Sequence, residues 1–270
     1  MLKTVSLVLL ALLVSASLLT SPLHAESEDP TTLMFRATVK LSNPGSTGTG
    51  FILTPDEGKT FILVTAKHVL DKTNGDETSV VFRIKTAEGE YKKQLVPLAI
   101  RKDDKPLWVN HPEQDVAAIY VTPPADADLP HLPTSLLATE EHLRTKGVHP
   151  GRKLTMLGYP HREESSEAGF AILRNGPLAS FPVLPTSKTK TFYISTSIFS
   201  GDSGGPVFTT LAGEEEGSAE QPLIMGVVHG QRFLNDTMKG NYMTIKTHHQ
   251  FGLAIIVHAS FVIETLELLK

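Results

Sequence analysis

The 270-residue sequence carries 25 Lys and Arg against 29 Asp and Glu, a formal net charge of −4, and no cysteine. Interspersed charges in that balance offer no basic stripe for nucleic acid and no polybasic patch for an anionic membrane. The missing thiols exclude a disulfide scaffold, thiolate metal centres and a cysteine nucleophile, so packing alone must hold the fold.

In chain order, residues 1–25 place Lys3 before an apolar run from Val5 to Leu19 and end on Pro22 and Ala25. That is the pattern of a secretory signal peptide cleaved after Ala25. The run falls short of the ~20 residues a spanning helix needs. The expectation is an exported protein, periplasmic or extracellular, with no stable membrane insertion once the leader is removed.

From Leu33 to Leu41, Phe35, Ala37, Val39 and Leu41 alternate with Arg36, Thr38 and Lys40, which predicts a half-buried strand. Further short apolar runs follow at 61–66, 79–85, 94–100, 116–121, 153–159, 169–174, 190–196, 206–210, 222–228 and 242–246, with Gly, Pro, Asn and Asp between them. Many short strands separated by turn residues predict an all-β barrel or sandwich. Residues 123–150 break the rhythm with Pro123, Pro124, Pro130 and Pro133 followed by "TEEHLRTK". They read as a connector between an N-terminal β half, 31–122, and a C-terminal one, 151–270. "LAGEEEGSAEQ" at 211–221 reads as an acidic, solvated hairpin loop. Val262, Leu266 and Leu269, at helical spacing behind Ser260 as N-cap, predict a terminal helix packed on the second half.

The stretch "SGDSGG" at 200–205 sets Ser203 among glycines after an apolar run. By itself it is a turn joining two strands. A serine hydroxyl becomes a nucleophile only when a base takes its proton, and a histidine base needs an acceptor to fix its tautomer. Of 11 histidines, His68 in "FILVTAKHVL" directly follows an apolar strand; Asp115 in "NHPEQDVAAIYV" stands at the entrance to another. Each alone reads as structural. Together, His68, Asp115 and Ser203 occur in that order, each attached to a strand, in a chain of two β halves.

On "TAKHV", "DVAAIYV" and above all "GDSGGP", residues 31–270 resemble the chymotrypsin-like, or trypsin-like, serine peptidases, particularly exported bacterial members without disulfides. The resemblance implies two six-stranded antiparallel β-barrels with a C-terminal helix. It implies His68 as general base and then acid, Asp115 orienting it, Ser203 as the acylated nucleophile, and the N–H groups of Gly201 and Ser203 as the oxyanion hole. The substrate pocket would have Ser197 at its floor and His229, Gly230, Gln231 and Gly240 along its walls, with no acid to favour Arg or Lys. Asp202, which in many members pairs with a newly freed N-terminal amine, would face a mature start of "ESEDPTTL" and must find another partner. The implied substrates are proteins or peptides, without cofactor or metal.

Two rivals remain at this stage. Gly201, Ser203 and Gly205 also fit the G-x-S-x-G elbow of an α/β-hydrolase-type esterase, with Asp236 and His248, His249 or His258 downstream. That elbow must run into a helix, which Gly204, Gly205, Pro206 and "VFTT" oppose. The other rival is a catalytically silent peptidase-like module that binds peptides or envelope proteins. No H-E-x-x-H motif is present, and His248 and His249 would point to opposite sides of a strand.

Overall fold

The structure is a computed structural model describing residues 29–56, 58–212 and 219–269. The stretch expected to be a leader, 1–25, and most of the stretch expected to be a loop, 211–221, lie outside the described residues.

The chain enters through a helix, α1 (Pro30–Ala37), where alternation predicts a strand. The Asp29 side chain accepts the Thr32 N–H at 2.9 Å and Pro30 occupies the first turn, a strong helix start. Met34 and Ala37 are buried on one helical face, so the apparent alternation joins the end of α1 to the start of β1 (Thr38–Asn43).

The first half then lays down β2 (Ser46–Leu53), β3 (Ile62–Thr65), a short helix α2 (Lys67–Asp71), β4 (Glu77–Lys85) and β5 (Tyr91–Ala99). The two-residue strands β6 (Arg101–Lys102), β7 (Lys105–Pro106) and β8 (Val109–Asn110) lead into β9 (Ala117–Tyr120). All of these pair antiparallel. Seven strands form one curled sheet in the order β5-β4-β1-β2-β3-β9-β8, one more than the resemblance implies. Near its open seam, the Leu107 N–H donates to the Ile100 carbonyl at 2.9 Å. Pro97 sits in β5, the edge strand, where a missing N–H is tolerated.

The connector carries a third helix, α3 (Glu140–Thr145), started by a capping box between Thr139 and His142. The second half contains β10 (Lys153–Gly158), β11 (Ile172–Pro177), β12 (Thr191–Ser195), β13 (Pro206–Leu211), β14 (Gln221–Lys239) and β15 (Thr244–His258). They run in the order β11-β10-β13-β14-β15-β12, and a bridge between Leu178 and Ile194 closes the ring. The result is the chymotrypsin-like double barrel.

Strand alternation explains how the halves adhere. On β2, Phe51 and Leu53 face a core shared with the second barrel, while Ile52 faces the first barrel's interior. On β3, Ile62 and Val64 face the shared core and Leu63 the interior. Both faces are buried, so these strands read as continuous apolar runs. The last helix, α4 (Ala259–Leu268), is capped by His258, two residues before the expected Ser260. It packs on β9 of the first barrel as well as β14 of the second. Among the described residues no helix is long and apolar enough to cross a membrane.

Candidate active site

His68 lies in the first turn of α2, immediately after β3 ends, and Asp115 lies in the loop between β8 and β9. Because β3 and β9 are neighbours in register, Thr65 opposite Ala117, their ends deliver the two side chains to one place. The Asp115 Oδ1 accepts the backbone N–H of His68 at 2.8 Å, one of the unpaired donors of the helix start. Its Oδ2 lies 2.6 Å from His68 Nδ1. A carboxylate only accepts, so Nδ1 carries the hydrogen and Nε2 keeps its lone pair.

His229, on β14, brings a third group. Its Nδ1 also stands 2.6 Å from Asp115 Oδ2, and its ring meets that of His68 edge-on, with centroids 6.0 Å apart. Burial disfavours the Asp115 charge, but the hydrogen bonds from His229 and from the His68 ring and backbone outweigh it and hold the carboxyl well below the usual range. The donor atoms of His68, Asp115 and His229 all lie within 4.8 Å of one another, a group able to hold a metal ion. Sequence spacing gave no such motif, because the three come from separate elements.

Ser203 sits in the turn between β12 and β13, held down from both barrels. Thr49 of β2 donates its N–H to the Ser203 carbonyl at 2.9 Å and its hydroxyl to the Gly201 carbonyl at 2.7 Å. The Gly204 N–H donates to Val228 at 2.8 Å, and the Val228 N–H to Gly205 at 3.0 Å. Gly201 and Gly204 adopt φ of +105° and +88°, a region side chains rarely enter. A Cβ at Gly201 would strike the Tyr159 carbonyl, and one at Gly204 would strike the Thr49 carbonyl and the Thr65 hydroxyl. Among the described residues the N–H groups of Gly201 and Ser203 donate to no backbone carbonyl. His68, Gly201 and Ser203 line one cavity of about 170 Å³. Among the described residues, Ser203 and the His68 ring share this cavity without a direct hydrogen bond.

Residues 48–214, the span that carries His68, Asp115 and Ser203, match the trypsin-like peptidase domain. The chain belongs to this family. This serine-type peptidase is also similar to two crystal structures of inactive forms of Rv3671c. One is a serine-to-alanine mutant from M. tuberculosis H37Rv, 20% identical, with TM-score 0.46, covering 89% of this chain and 93% of that chain. The other is the Rv3671c protease, 20% identical, with TM-score 0.42, covering 88% and 95%. No match is found among curated proteins.

The peptidase gives Asp202 a partner that the sequence did not indicate. The fully buried Asp202 carboxylate faces the Arg174 guanidinium from β11 with Oδ1 and accepts the Phe199 N–H at 2.7 Å with Oδ2. Burial pushes its pKa up, and Arg174 and the Phe199 N–H recover only part of that.

The expected pocket residues are not all brought together. Ser197 is exposed in the loop after β12, and Gly230 and Gln231 follow His229 on β14. The His229 ring is engaged by Asp115, a contact that the pocket-wall reading lacked. Gly240 requires a correction. It caps the β14–β15 hairpin beyond the Lys239–Thr244 pair, whereas His229 lies near Ile255, so the long hairpin carries Gly240 away from the site. The esterase reading is also overturned. Ser203 leads into β13 and not a helix, and the sheets pair antiparallel. Asp236 and His248 lie out on the hairpin, with His248 Nδ1 2.9 Å from Asn235 Oδ1 and His249 Nε2 3.0 Å from the Thr247 hydroxyl, while His258 is buried beside Phe192.

Proposed function

We propose that this peptidase is an exported endopeptidase that cuts protein chains through an acyl-enzyme on Ser203. The observation that carries the reading is His68, held by Asp115 through Nδ1, lining one cavity with Ser203. Its free Nε2 takes the Ser203 proton as Oγ attacks the scissile carbonyl, then returns that proton to the leaving amine. The N–H groups of Gly201 and Ser203 receive the developing oxyanion, an interaction worth on the order of 10²-fold or more per donor. A water repeats the sequence to release the acyl group. The hydrogen bond between His68 and Ser203 forms as substrate closes the cavity, as in other resting enzymes.

Pairing of β14 with β13 runs to Val227, and β14 continues beside β15 alone. The opposite edge of residues 229–231 thus offers an extended peptide a strand to join. No cofactor takes part. If Ser197 takes the floor position that the resemblance implies, no acid stands there, and a buried Arg or Lys would lack a partner, so cleavage after either is not expected.

A fluorophosphonate probe tests the reading. Parent protein beginning after Ala25 labels at Ser203 and cleaves a peptide library, and the folded Ser203→Ala variant does neither. Absence of serine-dependent labelling in folded parent protein favours the silent binding module, and strong cleavage after Arg refutes the pocket assignment.

A further inference from the structure

We propose that His68, Asp115 and His229 form a reversible inhibitory site for zinc or a similar borderline divalent cation. The inference rests on the peptidase reading for its consequence but not for the binding itself. Two imidazole nitrogens and one carboxylate oxygen converge from three elements, all within 4.8 Å of one another. Two nitrogens and an oxygen with one open position form a donor set that zinc accepts. The rings are nearly perpendicular, at 88°, so the two imidazoles meet edge to face and do not stack on one another beside Asp115.

The change needed is small. Each Nδ1 lies 2.6 Å from Asp115 Oδ2, and ligands around a tetrahedral zinc stand about 3.3 Å apart, so the carboxylate must withdraw by roughly 0.7 Å and the two ring nitrogens, within 4.8 Å of each other, close by at most about 1.5 Å. The side chains keep 29%, 15% and 43% of their surface exposed for His68, Asp115 and His229, and a solvent-open cavity of about 490 Å³, whose lining does not include Ser203, reaches them. A water can complete the coordination from there. Its other lining groups include the ammonium ions of Lys67 and Lys72, with Lys67 paired to Asp71.

The consequence follows from tautomers. To bind the ion, both Nδ1 atoms must give up their hydrogens, which each neutral ring moves to Nε2. His68 Nε2 then bears a hydrogen and has no lone pair with which to take the Ser203 proton. A bound cation also holds Asp115 away from its positioning task. The site is therefore self-blocking: the ligand that fits it disables the base.

Zinc chloride titrated into metal-free protein tests this, read by calorimetry and by fluorophosphonate labelling of Ser203. Expected are one equivalent bound at micromolar concentration, labelling slowed at least about tenfold at saturation, and full recovery with a chelator. His229→Ser, compared with its own zinc-free rate, binds roughly a hundredfold more weakly and loses the inhibition. Magnesium has no effect on either protein. The Ser203→Ala variant keeps all three ligands and binds zinc like the parent. If it binds zinc while parent protein never labels, the cation site stands and the peptidase reading falls. Parent labelling that is indifferent to millimolar zinc, or equal inhibition of His229→Ser confirmed as folded by thermal melting, overturns the proposal.

Discussion

Replacing Arg174 with alanine tests how the nucleophile's turn is stabilised. Asp202 precedes Ser203, is fully buried, and closes the 199–202 turn through the Phe199 N–H. Without the guanidinium its carboxylate must either remain ionised in an apolar setting or take up a proton. Protonating an aspartate whose unfolded pKa is about 3.9 costs about 4 kcal/mol at about pH 7, which sets a ceiling on the loss. The parent already bears part of this, because burial leaves the Asp202 pKa raised even beside Arg174. The expected destabilisation is therefore about 3 kcal/mol, at the low end for breaking a buried pair. An acid whose folded pKa is raised disfavours the native state above its unfolded pKa and ceases to do so as pH falls. The Arg174→Ala loss should accordingly shrink to roughly 1 kcal/mol by about pH 5. Urea unfolding at the two pH values measures it, and adding Asp202→Asn to Arg174→Ala should recover most of the loss. Ser203 labelling should slow along with stability. A variant within about 1 kcal/mol of the parent at neutral pH, or a loss that does not change with pH, would refute the argument.

Three further tests follow. Asp115→Asn keeps the shape of the side chain but presents an amide donor to one of the two imidazoles, and should lower kcat by about 10⁴ with little change in fold by circular dichroism. Gly204→Ala forces a Cβ at φ +88° into the Thr49 carbonyl and the Thr65 hydroxyl, and should cost several kcal/mol or prevent folding, measured by denaturant midpoint and soluble yield. Burial lowers the His258 pKa from 6.5 to about 4, so the unfolded chain gains a proton that the native ring refuses as pH falls through that window. Stability should fall by up to about 3 kcal/mol between those two values and level off below, a slope that His258→Leu should lack in urea midpoints.

The sequence by itself determined the all-β class, the two halves and the terminal helix, because turn residues and short apolar runs act locally. It also marked His68, Asp115 and Ser203 as the residues to follow, since "TAKHV", "DVAAIYV" and "GDSGGP" each attach a chemical group to a strand. It hid α1, whose start depends on Asp29 and Pro30, behind an apparent alternation. It likewise hid β2, whose "STGTG" opening carries no apolar signal, and the length of the β14–β15 hairpin. Only the tertiary structure decided that Arg174 answers Asp202, that Thr49 holds the serine turn, that Gly240 lies far from the site, and that His229 shares Asp115 with His68. The contacts among these join residues tens of positions apart through sheet register and the packing of one barrel on the other, and the hairpin's length sets where Gly240 falls. A side chain's type shows what it can bond; the neighbour it meets is set by how distant strands align.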